Sequence, residues 1–154
     1  AYGGYNLKQK YFIGKSKEEI SAEKLKNIIG LERERIKTLS EIWESTEFFF
    51  KGYNQPKFLT WKDETIGRTA ISLDKTYSIL CDVKDSDFTA EKLKEILLPE
   101  AEKFGNGDKG IILWPLRFAL SGREKSPGPF EIAEILGKEK TLKRIEQAKK
   151  LLKK

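Results

Sequence analysis

Apolar residues recur every three or four positions through most of this chain, the spacing that gathers side chains on one face of an α-helix. The first such pattern begins at Ile20, and Gly30 is a typical helix stop. A second helix is predicted over residues 31–50, where Leu39 and Trp43 share one face. Both patterns describe amphipathic helices that bury one side.

Residues 52–56, with the sequence GYNQP, interrupt the helical pattern. Proline disfavours helix in the residue before it, and glycine and asparagine favour turns. We therefore predict two small helical subdomains, residues 1–55 and residues 56–154.

The second subdomain is also predicted to be helical. The first candidates are residues 65–82 and a helix that is capped by Thr89, is kinked or split at Pro99 and ends at Gly105. An apolar segment from Gly110 to Leu120, residues 130–136 and a final helix after Gly137 follow. A strand is an alternative for residues 111–114, although Pro115 argues against a central one. Five or six helices without convincing strand pairs predict an all-α fold.

Composition narrows the classes of function. The 154 residues carry 30 Lys and Arg against 24 Asp and Glu, a net charge of +6, so an anionic partner fits. Histidine is absent and Cys81 is the only cysteine, which excludes an internal disulfide, a cysteine-cluster metal site and the usual catalytic base. No apolar run reaches the roughly 18 residues of a membrane span. Because the chain lacks methionine and begins at Ala1, we expect a piece of a longer cytoplasmic protein whose catalytic centre lies elsewhere.

Arg117 is the one charged residue in the apolar stretch from Leu113 to Leu120. Burying an unpaired guanidinium is costly, so this side chain either pairs with a carboxylate in the core or points into a groove. In a groove, its planar set of donors suits a base edge or a phosphate. Both alternatives stay open from the sequence.

The turn that follows Arg117 carries further cations and hydroxyls. Ser126 and Pro129 belong to a stiff Ser-Pro-Gly-Pro turn, and Pro129 fits the first position of the next helix, where backbone amides can bind an anion. Arg123 and Lys125 precede this turn and are candidates for phosphate contacts. The alternative is a basic surface loop without a binding role.

Arg35 is a further candidate, with Arg33 beside it. On the predicted helix over residues 31–50, Arg35 lies one turn before Leu39 and therefore on the apolar face. A cation on a core-facing stripe needs an anion or a cleft. The alternative is a structural pair with a neighbouring glutamate.

Lysine and arginine crowd one side of the final helix, which is typical of a solvated face and also attracts a polyanion in a salt-dependent way. Arg144 is our candidate there for a phosphate contact. Phe48, Phe49 and Trp61 are expected in the core rather than as stacking platforms. No phosphate loop, dinucleotide motif or carboxylate pair marks a catalytic site.

The stretch from Ile112 to Glu139 contains WPLRFALSG, SPGPFEI and LGKE, followed by LKRI, and residues 34–41 read ERIKTLSE. Taken in chain order, these segments and the FFF of residues 48–50 resemble the C-terminal anticodon-binding region of bacterial-type glutamyl-tRNA synthetases. The resemblance covers most of the chain and is weakest over residues 52–88. It implies a helical cage of two small subdomains that grips an anticodon loop.

The resemblance also implies a parent enzyme that joins glutamate to tRNA with ATP and Mg²⁺. Its nucleotide-binding fold would precede Ala1, so no cofactor is expected on this fragment. The implied partner is tRNA(Glu), alone or together with tRNA(Gln), and the parent is expected to be a cytoplasmic monomer. A basic helical protein-interaction module without RNA readout is the competing hypothesis.

Three kinds of contact follow from the resemblance. Arg117 would contact an anticodon base, Ser126 and Pro129 would frame the neighbouring bases, and Arg35 or Arg33 would face the first anticodon base. Several relatives have Thr in place of Ser126 and Leu in place of Pro129. The hydroxyl is therefore kept here, whereas the proline has no amide donor and less apolar reach.

Overall fold

A computed structural model of the protein describes residues 10–12, 19–38, 40–51 and 60–153. The chain forms two compact units, one that ends at Phe50 and one that begins at Lys51. The predicted subdomain boundary, between residues 55 and 56, lies outside the described residues. Its position therefore stays a prediction.

The first unit combines a short strand pair with short helices. Strand β1 (Lys10–Phe12) pairs antiparallel with strand β2 (Glu19–Ser21), and helix α1 (Ala22–Glu32) follows at once. The Ser21 hydroxyl caps α1 by accepting from the Lys24 amide at 3.2 Å. The predicted stop at Gly30 is wrong, because an exposed glycine costs a helix only about 1 kcal/mol and α1 continues for two more residues.

The single helix predicted over residues 31–50 is also wrong. Turns follow α1, and the chain then forms α2 (Glu41–Thr46) and a 3₁₀ turn (Glu47–Phe49). The Lys37 amide donates to the Glu41 carboxylate at 2.9 Å, a local bond that competes with helix formation. Phe48 and Phe49 are buried as expected, with ring centroids 4.2 Å apart.

The second unit is helical throughout its described residues, apart from turns. Its helices are α3 (Ile66–Asp82), α4 (Ala90–Phe104), α5 (Gly110–Ser121), α6 (Pro129–Leu136) and α7 (Lys138–Leu152), with a 3₁₀ turn at Asp85–Asp87. Thr65 and Thr89 cap α3 and α4 by accepting from backbone amides. The all-α prediction is confirmed.

Prolines lie inside two of these helices. The split that was one alternative at Pro99 does not occur, because α4 is continuous there, and residues 111–114 are helix rather than the alternative strand. Since α5 is buried on most sides, its sequence shows neither a helical nor a strand period. The predicted stop at Gly105 is confirmed.

Helix α5 lies at the centre of the second unit and packs against α3, α4, α6 and α7. Fully buried side chains from all five helices meet there, among them Leu73, Leu97, Ile112, Leu116, Leu120, Ile132 and Ile145. This packing fixes the position of every residue on α5. Within the described ranges, no helix is long and apolar enough to cross a lipid bilayer.

Candidate nucleic-acid interface

One face of α5 lines an open cavity of about 290 Å³ in the second unit. Gly110, Leu113, Trp114 and Arg117 recur at helical spacing along this face. Trp61 and Pro129 complete the lining from outside the helix. The structure thus brings Arg117 and the proline turn to the same pocket.

The Arg117 guanidinium is held at the cavity wall. Its Nη2 donates to the carbonyl of Glu124 at 2.8 Å, and its central carbon lies 4.6 Å from the ring centroid of Trp114. The side chain is half-buried and lines the cavity, rather than being sealed in the core. A planar cation fixed in this way can present donors to an acceptor that enters the pocket.

The turn between α5 and α6 is fixed by its own polar groups. Gly122 closes α5 in the left-handed conformation (φ 67°), and the Arg123 amide donates to the Ser121 hydroxyl at 3.2 Å. Pro129 begins α6, as predicted. Ser126 is 4% exposed and donates to the Pro127 carbonyl at 3.1 Å, so it supports the turn and does not line the cavity.

Arg123 and Lys125 lie on this same turn, within eight residues of Arg117 in the sequence. Arg123 is half-buried, and Lys125 is exposed. Neither lines the cavity. A cation outside a base pocket suits phosphates rather than base edges.

Arg144 is the candidate residue whose position differs most from its prediction. It is 8% exposed, and its Nη1 donates to the carbonyl of Leu120, in the last turn of α5. The last carbonyls of a helix have no partner within the helix, and a cation stabilises that end. Arg144 therefore fastens α7 to α5, and its burial favours this structural role over the predicted phosphate contact.

Arg35 and Arg33 belong to the first unit. The helical-face argument for Arg35 is wrong, because α1 ends at Glu32 and Arg35 lies in the turns that follow. Its Nε lies 3.5 Å from the carboxylate of Glu32, which is buried, so the alternative of a structural pair with a glutamate is the one observed. Arg33 is exposed at the end of α1.

Trp61 is the residue that sequence reasoning missed. It was expected in the core, but it is half-buried and lines the cavity, with its ring centroid 5.2 Å from that of Trp114 and a 42° tilt. Its indole Nε1 donates to both carboxylate oxygens of Asp108 at 3.2 and 3.3 Å. Nothing in the sequence marks a contact between residues 47 positions apart.

Asp108 is itself held by several donors. The Lys62 ammonium lies 2.6 Å from Oδ2, and the Gly110 amide donates to Oδ1 at 2.9 Å. These bonds, that of Lys62 first, then those of the Trp61 indole and the Gly110 amide, lower the pKa of Asp108 below its ordinary 3.8. The carboxylate is therefore ionised throughout the physiological pH range.

The second unit is a helical domain with a half-buried arginine at an aromatic cavity. Comparison with known families shows which class of binding domain this chain belongs to. Residues 5–149 match the family described as the anticodon binding domain, and the chain belongs to that family. The resemblance to the anticodon-binding region of glutamyl-tRNA synthetases is thereby confirmed.

The relatives are longer proteins. A glutamate–tRNA ligase of Flavobacterium johnsoniae is 34% identical over 124 residues, 79% of this chain and 23% of that protein. Glutamate–tRNA ligase 2 of Thermoanaerobacter pseudethanolicus is 34% identical over 144 residues, 92% of this chain and 29% of that protein. The crystal structure of a glutamate tRNA ligase from Elizabethkingia meningosepticum superimposes with a TM-score of 0.73 at 30% identity, over 86% of this chain and 26% of the other. The chain spans about a quarter of the length of these relatives.

Proposed function

We propose that this chain reads the anticodon loop of tRNA(Glu) as part of a glutamate–tRNA ligase. The observation that carries the proposal is the cavity shared by Arg117, Trp114 and Pro129 in a chain of the anticodon-binding family. An unpaired loop exposes base edges and ring faces, which arginine and aromatic side chains recognise. In a regular duplex the ring faces are stacked and the pairing edges of the bases are already occupied.

Each residue has a distinct part in this proposal. Arg117 donates to the acceptors of one base, while Trp114 and Pro129 limit the space around that base. Arg123 and Lys125 attract the loop phosphates. Ser126 holds the shape of the turn through its bond to Pro127.

Arg33 and Arg35 in the first unit remain our proposal for the first anticodon base. Arg33 is exposed, whereas Arg35 already lies near Glu32. Replacing each by alanine and measuring affinity for loops that differ at that base separates the two. A change in base preference identifies the residue that makes the contact.

For the whole parent protein we propose ligation of glutamate to tRNA(Glu) with ATP and Mg²⁺, in the cytoplasm and as a monomer. Among the described residues, no group of three or more acidic or cysteine side chains is arranged to hold a metal ion. Charging assays with tRNA(Glu) and tRNA(Gln) on the complete protein determine whether one or both are substrates. Arg117→Ala in that protein is expected to lower aminoacylation, and unaltered aminoacylation would contradict the role of Arg117.

The direct test is titration of this chain with the anticodon stem–loop of tRNA(Glu) and with a stem–loop of scrambled loop sequence. Arg117→Ala is expected to weaken binding of the first RNA by about 1–3 kcal/mol, the value of one good bidentate base contact. Lys84→Ala is the control, since it removes one exposed charge that does not line the cavity. Equal, weak binding of both RNAs would instead favour the protein-interaction module.

A further inference from the structure

Trp61 lies before the start of α3, so its position is not fixed by membership of a helix. What holds the indole is Asp108, in the loop between α4 and α5, through the bonds from Nε1 to both carboxylate oxygens. The same carboxylate binds the first amide of α5, that of Gly110. Asp108 therefore ties the Trp61 ring to the helix that carries Arg117.

The ring is pressed against the start of α5. A Cβ atom on Gly110 would lie 2.3 Å from Cε2 and 2.4 Å from Nε1 of Trp61. Any other residue at position 110 would push the indole away. The absence of a side chain at Gly110 is what allows Trp61 to enter the cavity wall.

The aromatic rings and cations follow one another along the cavity. The Lys62 ammonium lies 5.0 Å from the Trp61 ring centroid, the Trp61 and Trp114 centroids are 5.2 Å apart, and the Arg117 guanidinium covers Trp114 at 4.6 Å. Two rings in direct contact leave no gap for a third ring between them. A planar ligand therefore packs against the sides of the indoles that face the cavity, with Pro129 on the same lining.

We infer that Trp61 is a stacking wall for one unpaired nucleobase and that Asp108 is the residue that positions it. This inference rests on the proposed function. A cavity of about 290 Å³ is at the small end of ligand pockets and suits a single base. The Arg117 guanidinium at one end of the ring series favours an occupant with an anionic backbone over an apolar peptide side chain.

The test places 2-aminopurine at each anticodon position of the tRNA(Glu) stem–loop in turn and titrates each RNA with the full chain. Stacking on the indole quenches this fluorophore, so one position is expected to be quenched on binding. Trp61→Ala is expected to abolish that quenching and to weaken binding about 5- to 150-fold, the range reported by alanine replacement of stacking residues. Trp61→Phe keeps a ring but removes the Nε1 donor that Asp108 holds, so it is expected to lose part of the quenching, as Asp108→Asn does.

Asp108→Asn tests the positioning role at nearly unchanged side-chain size. It is expected to reduce the quenching at the same position, whereas Asp63→Asn, which alters an exposed acid on the adjacent turn, is the matched control and leaves it unchanged. Melting curves identify any variant that fails to fold. If Trp61→Ala does not fold, the conservative variants Trp61→Phe and Asp108→Asn provide the test of the stacking role.

The possible results distinguish failure of this inference from failure of the proposed function on which it rests. If Arg117→Ala weakens binding while the Trp61 and Asp108 variants behave like Asp63→Asn, the stacking wall is refuted and anticodon reading stands. If Trp61→Ala weakens binding without any position having been quenched in the wild-type chain, Trp61 is structural and the inference fails. If Arg117→Ala leaves binding unchanged and the two loops bind alike, the proposed function itself fails.

Discussion

Gly110 occupies a position where the Trp61 ring leaves no space for a side chain. Gly110→Ala is expected to displace the indole and to weaken stem–loop binding to a similar degree as Trp61→Ala. Gly67→Ala is the control, because the added Cβ would have Thr65 Oγ1 at 3.9 Å as its nearest neighbour and would favour helix α3. Titration of both variants with the stem–loop measures the difference, and unchanged binding by Gly110→Ala would contradict the packing argument.

Arg144 makes a second prediction at this scale. Arg144→Ala leaves the buried carbonyl of Leu120 without this donor, so we expect the free energy of unfolding to fall by about 2 kcal/mol. Its exposed neighbour gives the comparison, since Lys143→Ala should change stability by less than about 0.5 kcal/mol. Urea denaturation measures both. A loss of RNA affinity at unchanged stability would instead restore the phosphate role.

The Asp108 carboxylate gives the expected pH dependence. Because its pKa is lowered in the folded chain, its bonds contribute stability in full above the pKa of the unfolded chain, near 4. That contribution is lost as the pH falls through the lower, folded pKa. The indole N–H resonance of Trp61 is therefore expected to stay constant from pH 7 to 5 and to shift only in stronger acid. A midpoint above pH 4 would contradict the assignment, and Asp108→Asn should lack the transition.

At the scale of elements, α4 continues through Pro99, which is exposed in the middle of a 15-residue helix. Proline removes one backbone bond there and is about 3 kcal/mol less favourable than alanine in a helix interior. Pro99→Ala is expected to stabilise the chain by about 1–3 kcal/mol, measured by urea denaturation. Destabilisation would mean that the proline ring makes a contact that outweighs the missing bond.

Local chemistry made several elements predictable. Thr89 caps α4 as its position suggested, Gly105 ends α4, and Pro129 begins α6. The wrong predictions have two physical causes, a local side-chain bond in one case and tertiary packing in the other. Lys37 and Glu41 end the predicted helix by a local bond, and α5 forms a helix around Pro115 because its neighbours bury it.

The residues of the candidate site also differ in whether their roles could be predicted from the sequence. Arg117 and Pro129 could be linked from the sequence, because a polar residue in an apolar stretch and a stiff turn lie twelve residues apart. Trp61 and Arg144 could not, since their partners Asp108 and Leu120 lie far away in the chain. Side-chain type alone does not distinguish a buried cation from an exposed one on a basic helix.

For the whole molecule, the net charge of +6 predicts a salt-dependent component of binding. Not every lysine of α7 is available for this, because Lys149 pairs with Asp74 and lies 5.0 Å from the Tyr77 ring centroid. Lys143, Lys150 and Lys153 are exposed. Replacing these three with serine is expected to weaken binding of the tRNA(Glu) and scrambled loops alike.

The measurement for this charge prediction is affinity over a series of salt concentrations. The slope of log K against log salt should become shallower by about 0.7–0.9 for each phosphate contact that is lost. Selective loss for the tRNA(Glu) loop would show that these lysines read the loop rather than attract it. An unchanged slope would show that they make no phosphate contact.

The bond between Arg144 and the Leu120 carbonyl gives the carboxy-terminal helix a structural role in addition to its positive charge. A protease that cuts at Gly137 would leave Arg117, Trp61 and Pro129 in the chain, yet it would remove the anchor from the end of their supporting helix. Variants shortened in this way are expected to lose their preference for the tRNA(Glu) loop although they keep the three residues that line the cavity, and the exposed lysines of α7 would be lost as well. Sequence surveys that score contact residues alone would classify such variants as intact.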